Sequence, residues 1–238
     1  MPLSNNKDSL ANTLIVATVL CLVCALLVST AAVGLKSIQD ANALLDRRTN
    51  IVSVSGISDQ DVDVAGGIDK LFEEGGRIEA FVIDLDTGKL APEACQEAMT
   101  AAGKKIEDVV KDYDQIWCSK SKKTEVADQL DKKTDTIGIK WREKFSHVFI
   151  VKDSGGKVAK YVFPVRGYGL WSMMQGYMAV EPDLQTVAGL TFYEHGETPG
   201  LGGEVTNPQW KKKWIGKKIF DGNDVNLAVK KGDHSSDP

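Results

Sequence analysis

The sequence lacks most of the short motifs that mark catalytic or metal sites. Its 238 residues include three histidines and four cysteines, and the formal net charge is −4. Lysine and arginine are interspersed with aspartate and glutamate, so no basic field gathers phosphates and no nucleic acid is expected as a partner. No H-x-x-x-H pair, nucleophile elbow, dinucleotide fingerprint or Walker loop occurs. We therefore assign no catalytic residue and no metal site.

Charged residues are also absent between Asp8 and Lys36, and Leu14–Leu35 is dominated by leucine, valine, alanine and threonine. A helix of these 22 residues is about 33 Å long, enough to cross a hydrocarbon core of about 30 Å. A cleaved signal peptide is the alternative, because small residues at 29–32 offer a cleavage site. We favour an anchor, because a signal peptide has a positive N-terminal region and a shorter apolar run, whereas here Lys7 is followed at once by Asp8.

The length leaves room for one ordinary domain besides this helix. We expect a tail at 1–13, a transmembrane helix at 14–35, a stalk at 36–56 and a globular domain at 57–238. Within that domain Glu93–Leu130 predicts a polar, peripheral helical stretch. The basic residues on the two sides of the helix are too evenly divided to predict its orientation.

The four cysteines fall into two pairs. Cys21 and Cys24 lie in the apolar run at i, i+3 and share a helix face, either as a metal or redox pair or, as we favour, as small apolar residues. Cys95 and Cys118 have no C-x-x-C context, so no metal site is expected there. A disulfide between them requires an oxidising compartment.

Alternating apolar residues and turn signals predict an α+β fold with an antiparallel sheet of at least four strands. Four runs form two hairpin pairs, a further strand precedes them, and a short hairpin follows. Asn207 before Pro208 predicts a helix from Pro208 to Trp214. The predicted strand runs are 81–88, 147–152, 157–165, 171–181, 186–194, 219–220 and 225–229.

A glycine-rich segment, Glu197–Glu204, follows the last long strand run. Glycines at three of four consecutive positions allow positive φ angles and a close approach of the backbone to a ligand. The segment is either a ligand cradle, with N–H groups suited to anionic or carbonyl oxygens, or a tight structural loop. Residues alone favour the structural loop.

A second segment, Gly167–Met174, combines glycines with a tryptophan and two methionines. Such side chains suit the face of an aromatic ligand, but they more often fill a core. The isolated His147, His195 and His234 are interpreted as strand, loop and tail residues.

These segments occur in order with others, and together they resemble the C subunit of the bacterial sodium-translocating NADH:quinone oxidoreductase. The matching blocks are the N-terminal span with 29–35, 169–174, 197–205, Trp210 and 215–218. The resemblance is weak from about 56 to 140. A related family, the G subunit of the Rnf-type complex, fits the 170–174 and 200–203 blocks less well.

The resemblance implies FMN attached through its phosphate to a threonine that ends a Ser-Gly-Ala-Thr motif. Residues 1–238 contain no such motif, so no residue is assigned the acceptor role and no covalent flavin is expected on this chain. The two segments are expected to supply the noncovalent part of the FMN site. The cofactor-binding residues so implied are Leu170, Trp171, Ser172, Met173, Glu197, Thr198, Pro199, Gly200, Leu201, Gly202 and Gly203.

By the same resemblance, the chain is an electron-carrier subunit of an inner-membrane complex that couples electron transfer from NADH to ubiquinone to sodium export. Its domain is expected to be periplasmic and its partners to be the other subunits and membrane lipid, with no direct binding of NADH. Alone it is not expected to be active. The alternatives are a membrane-tethered FMN-binding sensor or assembly module, and a structural anchor subunit without flavin.

Overall fold

The computed structural model describes residues 10–91, 127–133, 135 and 138–229. The chain divides into two compact units, residues 1–43 and 44–238. The helices are α1 (Leu10–Ser55), α2 (Asp59–Ala65), α3 (Ile68–Leu71) and α4 (Pro208–Lys212), with a 3-10 helix at Gly202–Thr206. The strands are β1 (Ile78–Asp84), β2 (Ala127–Gln129), β3 (Trp141–Glu143), β4 (Phe145–Lys152), β5 (Val158–Tyr168), β6 (Met173–Val180), β7 (Val187–Glu194), β8 (Phe220–Asp221) and β9 (Asp224–Val225).

The first unit contains the apolar part of α1. Among the described residues, α1 is the one helix long and apolar enough to cross a membrane, and none of its most apolar stretch is buried. Thr30 is one of the few polar residues in the apolar part of α1, and its hydroxyl donates to the carbonyls of Leu26 and Leu27. An exposed apolar helix of this length is compatible with a single-pass anchor.

The second unit is built on a five-stranded antiparallel sheet in the order β1-β4-β5-β6-β7. The α+β prediction with an antiparallel sheet is therefore confirmed. Two separate pairs, β2 with β3 and β8 with β9, complete the described strands. Neighbours in sequence pair from β4 to β7, whereas β1 pairs with β4 across a long stretch of chain.

The core lies on one face of this sheet and includes the last turns of α1. Ile51, Val52 and Val54 are buried there with Leu71 of α3 and residues of the strands. Backbones approach closely at one point, since a Cβ on Gly189 of β7 would lie 2.5 Å from the carbonyl oxygen of Val54. The end of the segment predicted as a stalk is thus packed against the sheet.

Two predicted helices differ from the structure, one in its end and one in part of its extent. Asn207 caps α4 and its side chain accepts the N–H of Gln209, but the helix ends at Lys212 rather than Trp214. The predicted helical stretch Glu93–Leu130 lies outside the described residues up to 126. At its end the prediction is wrong, because Ala127–Gln129 is extended and pairs with Trp141–Glu143.

Candidate functional site

Both segments predicted to bind a ligand lie at the same end of the sheet. The turn Gly169–Ser172 joins β5 to β6, and the loop that follows β7 contains Glu197. Because β6 and β7 are antiparallel neighbours, with Gln175 opposite Glu194, the start of one strand lies beside the end of the other. The sheet therefore brings together segments that are about 25 residues apart in sequence.

The carboxylate of Glu197 joins the two segments directly. Oε1 accepts the N–H of Trp171 at 3.0 Å and that of Ser172 at 3.1 Å, and Oε2 accepts the N–H of Leu170 at 3.3 Å. Ser172 adds a second link, because its hydroxyl oxygen accepts the N–H of Gly196 at 2.6 Å. Three successive amides of the turn are thus bound by one side chain from the loop.

Glu197 is buried, with 8% of its surface exposed, and its charge is stabilised by these donors. The N–H of Trp171 is the largest cause that lowers the pKa of the carboxyl group, and the amides of Ser172 and Leu170 act in the same direction. Burial opposes them, because it penalises the charged form. The carboxylate is therefore ionised at neutral pH.

Two glycines make room for this carboxylate. A Cβ on Gly169 would lie 2.4 Å from Oε1 of Glu197, and one on Gly202 would lie 2.8 Å from Oε2. Gly200 is glycine for another reason, since its φ is +76° and open space surrounds the position of a Cβ. The residues 169–172 and 196–203, which we call the paired loops, are therefore fitted closely around Glu197.

Large apolar side chains of the paired loops face solvent. Leu170 is 77% exposed, Trp171 66% and Leu201 74%. Tyr168, at the end of β5, is also exposed, and its hydroxyl lies 3.5 Å from the carbonyl oxygen of Trp171. Exposed apolar residues gathered beside a buried polar centre are typical of a binding surface.

Sequence comparisons place this chain in a known family. The FMN-binding domain family matches residues 169–235, which begin at the first of the paired loops. The chain is 40% identical over 228 residues to the C subunit of the Na(+)-translocating NADH-quinone reductase of Neisseria meningitidis, covering 95% of this chain and 80% of that protein. The chain belongs to the NqrC family, the C subunits of these reductases. The NqrC protein of Vibrio parahaemolyticus is 43% identical over 223 residues, covering 93% of this chain and 77% of that protein.

A solved structure supports the same assignment. The crystal structure of Shewanella oneidensis NqrC aligns with a TM-score of 0.58 and 30% identity, covering 81% of each chain. The resemblance predicted from the ordered motifs is therefore confirmed. The match also supports the α+β fold described above.

Two N–H groups of the second loop bind a carbonyl oxygen of the same loop. Thr198 O accepts the amides of Leu201 at 3.1 Å and Gly203 at 3.0 Å, and Leu201 O accepts that of Glu204 at 3.1 Å. The amides of the first loop bind Glu197, as described above. The exposed side chains of the paired loops, Thr198 among them, are therefore carried on backbones that these hydrogen bonds fix.

The two histidines in the described part of the chain lie on different strands or loops of the domain. His147 is buried in β4, and burial, with the charge of Arg47 second, lowers its pKa from 6.5 to about 4. His195 follows β7, and its Nδ1 accepts the N–H of Glu197 at 3.3 Å. His234 lies outside the described residues. Within the described ranges no three His, Cys, Asp or Glu side chains gather to hold a metal ion.

Two of the four cysteines lie in the described part of the chain. Cys21 and Cys24 are exposed free thiols on α1. Cys95 and Cys118 lie outside the described residues.

Sequence reasoning missed the roles of Gly169 and Gly196, which are not among the predicted binding residues. A Cβ on Gly196 would lie 3.1 Å from Cβ of Ser172. The available signal was the glycine that directly precedes each set of predicted binding residues, before Leu170 and before Glu197. Only the meeting of the segments explains why glycine is required there.

Proposed function

We propose that this chain is the FMN-carrying subunit of a sodium-pumping NADH:quinone reductase and that the paired loops form the noncovalent part of its FMN site. The observation that carries the proposal is the joining of the two loops by Glu197, which brings together two segments of the FMN-binding domain match that carry the exposed Leu170, Trp171 and Leu201. The NqrC relatives belong to a Na(+)-translocating NADH-quinone reductase, so other subunits are expected as partners.

The residues at the paired loops fit the chemistry of a flavin. An isoalloxazine ring has flat, polarisable faces and polar edges, and it binds well between apolar or aromatic side chains. Trp171, Leu170 and Leu201 offer such contacts because they are exposed while their backbones are fixed. Thr198, an exposed residue of the same loop as Leu201, would add a hydroxyl as a polar contact.

The bound FMN would supply the redox chemistry, and the chain would hold and orient it. Burial of one ring face against Trp171 and Leu201 would exclude water from that face. No dinucleotide fingerprint occurs in the sequence, so we propose that electrons enter and leave through other subunits and that NADH binds elsewhere in the complex.

We further propose that α1 anchors the chain in the bacterial inner membrane with the globular domain on the periplasmic side. The segments are the span at 14–35, the stalk at 36–56 and the FMN-binding domain from 57 onward. The exposed apolar surface of α1 supports the anchor.

Covalent attachment is a separate matter from binding at the paired loops. Because residues 1–238 contain no Ser-Gly-Ala-Thr sequence, a polypeptide of these residues is expected to release all flavin on acid denaturation. In-gel flavin fluorescence measures this directly. A fluorescent band, or a mass increase equal to FMN, would show that another hydroxyl acts as acceptor.

The site itself is tested by titrating FMN into the full chain in detergent. Leu201→Ala and Thr198→Ala should weaken binding and shift the flavin absorption spectrum, while the melting temperature stays nearly unchanged because both side chains are exposed. Leu184→Ala is the matched control, since Leu184 is an exposed leucine in the β6–β7 turn at the opposite end of the same strands. Equal binding by the three variants and the wild type would refute the site. A wild-type chain that binds no FMN would favour a structural anchor.

A further inference from the structure

The buried carboxylate of Glu197 is surrounded in a way that separates it from any ligand. Oε1 has the Trp171 and Ser172 amides as donors, Oε2 has the Leu170 amide, and there is no room for a Cβ on Gly169 beside Oε1 or on Gly202 beside Oε2. With 8% of the residue exposed, little of the group faces solvent. A cofactor at the paired loops would thus contact the exposed side chains and not the carboxylate.

The same contacts connect Glu197 to the surface that would hold a cofactor. Leu170 and Trp171 are exposed, yet their amides are fixed by the carboxylate beneath them. A hydrogen bond to a charged acceptor is roughly twice as strong as a neutral one. The position of the two side chains therefore depends on the charge of one residue 26 positions away from Trp171.

We propose that Glu197 is a positioning residue, which sets the FMN site through the Leu170–Ser172 turn and contributes a fixed negative charge beneath it without touching the cofactor. The part of the inference that concerns FMN rests on the proposed function. The effect of Glu197 on the Leu170–Ser172 turn is independent of it. It differs from the expectation that Glu197 binds the cofactor directly.

Glutamine at position 197 separates charge from shape. Its amide has nearly the same size, but one of its two terminal atoms is an NH2 group, which accepts no hydrogen bond. Depending on which atom that is, either Leu170 or both Trp171 and Ser172 lose their acceptor. Aspartate keeps the charge and shortens the side chain by one methylene group. Glu194→Gln is the matched control, since Glu194 is an exposed carboxylate at the end of β7 with Gln175 as its side-chain partner.

The effect on the turn is measured first without flavin, by hydrogen exchange of the full chain in detergent. In Glu197→Gln the amides of 170–172 should exchange at least about tenfold faster, the loss expected for one charged hydrogen bond. Amides of β4 and β5 should be unchanged, and so should all amides in Glu194→Gln. Unchanged exchange at 170–172 overturns the proposal whether or not FMN binds.

The effect on the cofactor is measured second. Glu197→Gln should weaken FMN binding by about tenfold or more and raise the midpoint potential of bound FMN, because a nearby negative charge opposes the gain of an electron. Glu197→Asp should keep the potential near that of the wild type, because it keeps the charge. An unchanged potential and affinity in Glu197→Gln would overturn the positioning role. If the wild type binds no FMN, the proposed function fails and the exchange experiment still decides the role of Glu197 in the turn.

Discussion

Glycines at the paired loops are required for two distinct physical reasons. Gly202 gives space to a carboxylate, because an added Cβ would lie 2.8 Å from Oε2 of Glu197 and 3.0 Å from its Cβ. Gly200 has a φ of +76° with nothing near its open side. The first is a matter of packing between two segments, and the second is a local property of one turn.

Substitution of these two glycines should therefore give different results. Gly200→Ala should lower the free energy of unfolding by about 1 kcal/mol, the cost of placing a non-glycine residue in the left-handed region. Gly202→Ala should displace the Glu197 carboxylate and speed amide exchange at Trp171, in addition to any loss of stability. Denaturant unfolding and hydrogen exchange measure the two effects. Similar exchange at Trp171 in both variants would contradict the assignment.

His147 provides a pH-dependent test at the residue scale. Its pKa is lowered from 6.5 to about 4 in the folded chain, so the unfolded chain takes up the proton first as the pH falls. The stabilisation is complete above about pH 6.5 and is lost progressively down to about pH 4, by a total of about 3 kcal/mol. His147→Gln should flatten this part of the pH profile of unfolding free energy. A profile that is as steep in the variant would exclude His147 as its cause.

The site could be predicted from sequence only as two separate segments. Positive-φ glycines and exposed aromatic residues leave a local signal, and this signal, together with the ordered family motifs, identifies Leu170–Met173 and Glu197–Gly203. The contact of Glu197 with three amides of the other segment leaves none. It depends on which strands are neighbours, and no pattern within either segment encodes that.

At the scale of elements, hairpins were predictable and long-range packing was not. The turns at 153–156 and 182–185 carry Gly, Asp and Pro signals, and β4–β5 and β6–β7 pair across them as expected. The pairing of β1 with β4 spans residues 85–144 and has no local signal. The sequence predicts only a stalk for the last turns of α1, because apolar residues at the end of a long helix do not reveal the sheet that they pack on.

The packing of α1 on β7 depends on Gly189. A Cβ there would lie 2.5 Å from the carbonyl oxygen of Val54 and 3.0 Å from its Cγ2, so backbone atoms must shift. Gly189→Ala should lower the free energy of unfolding by about 1–3 kcal/mol, as overpacking of a core does. Gly155→Ala is the control, because its Cβ would meet only the side-chain Oδ1 of Asp153 at 3.2 Å. Equal stability of the two variants would contradict this account of the interface.

For the whole molecule, the long apolar helix determines how the chain behaves in a cell. The exposed surface of α1 between Leu10 and Leu35 is apolar on nearly every side, which is costly in water and favourable in lipid. The full chain should therefore sediment with membranes and require detergent for extraction. A chain that starts at residue 36 should be soluble and monomeric. If expression of the full chain instead gave a soluble product with its N-terminus near Ala32, the segment would be a cleaved signal.

The assignment of the paired loops as the FMN site is tested most directly by hydrogen exchange of the full chain with and without saturating FMN. Bound FMN should slow exchange in two separate peptides, one covering 169–174 and the other 197–203, and should leave the β6–β7 turn at 182–185 unaffected. The two regions should be protected together, since one carboxylate joins them. Protection confined to another part of the domain, or of only one of the two loops, would contradict the account.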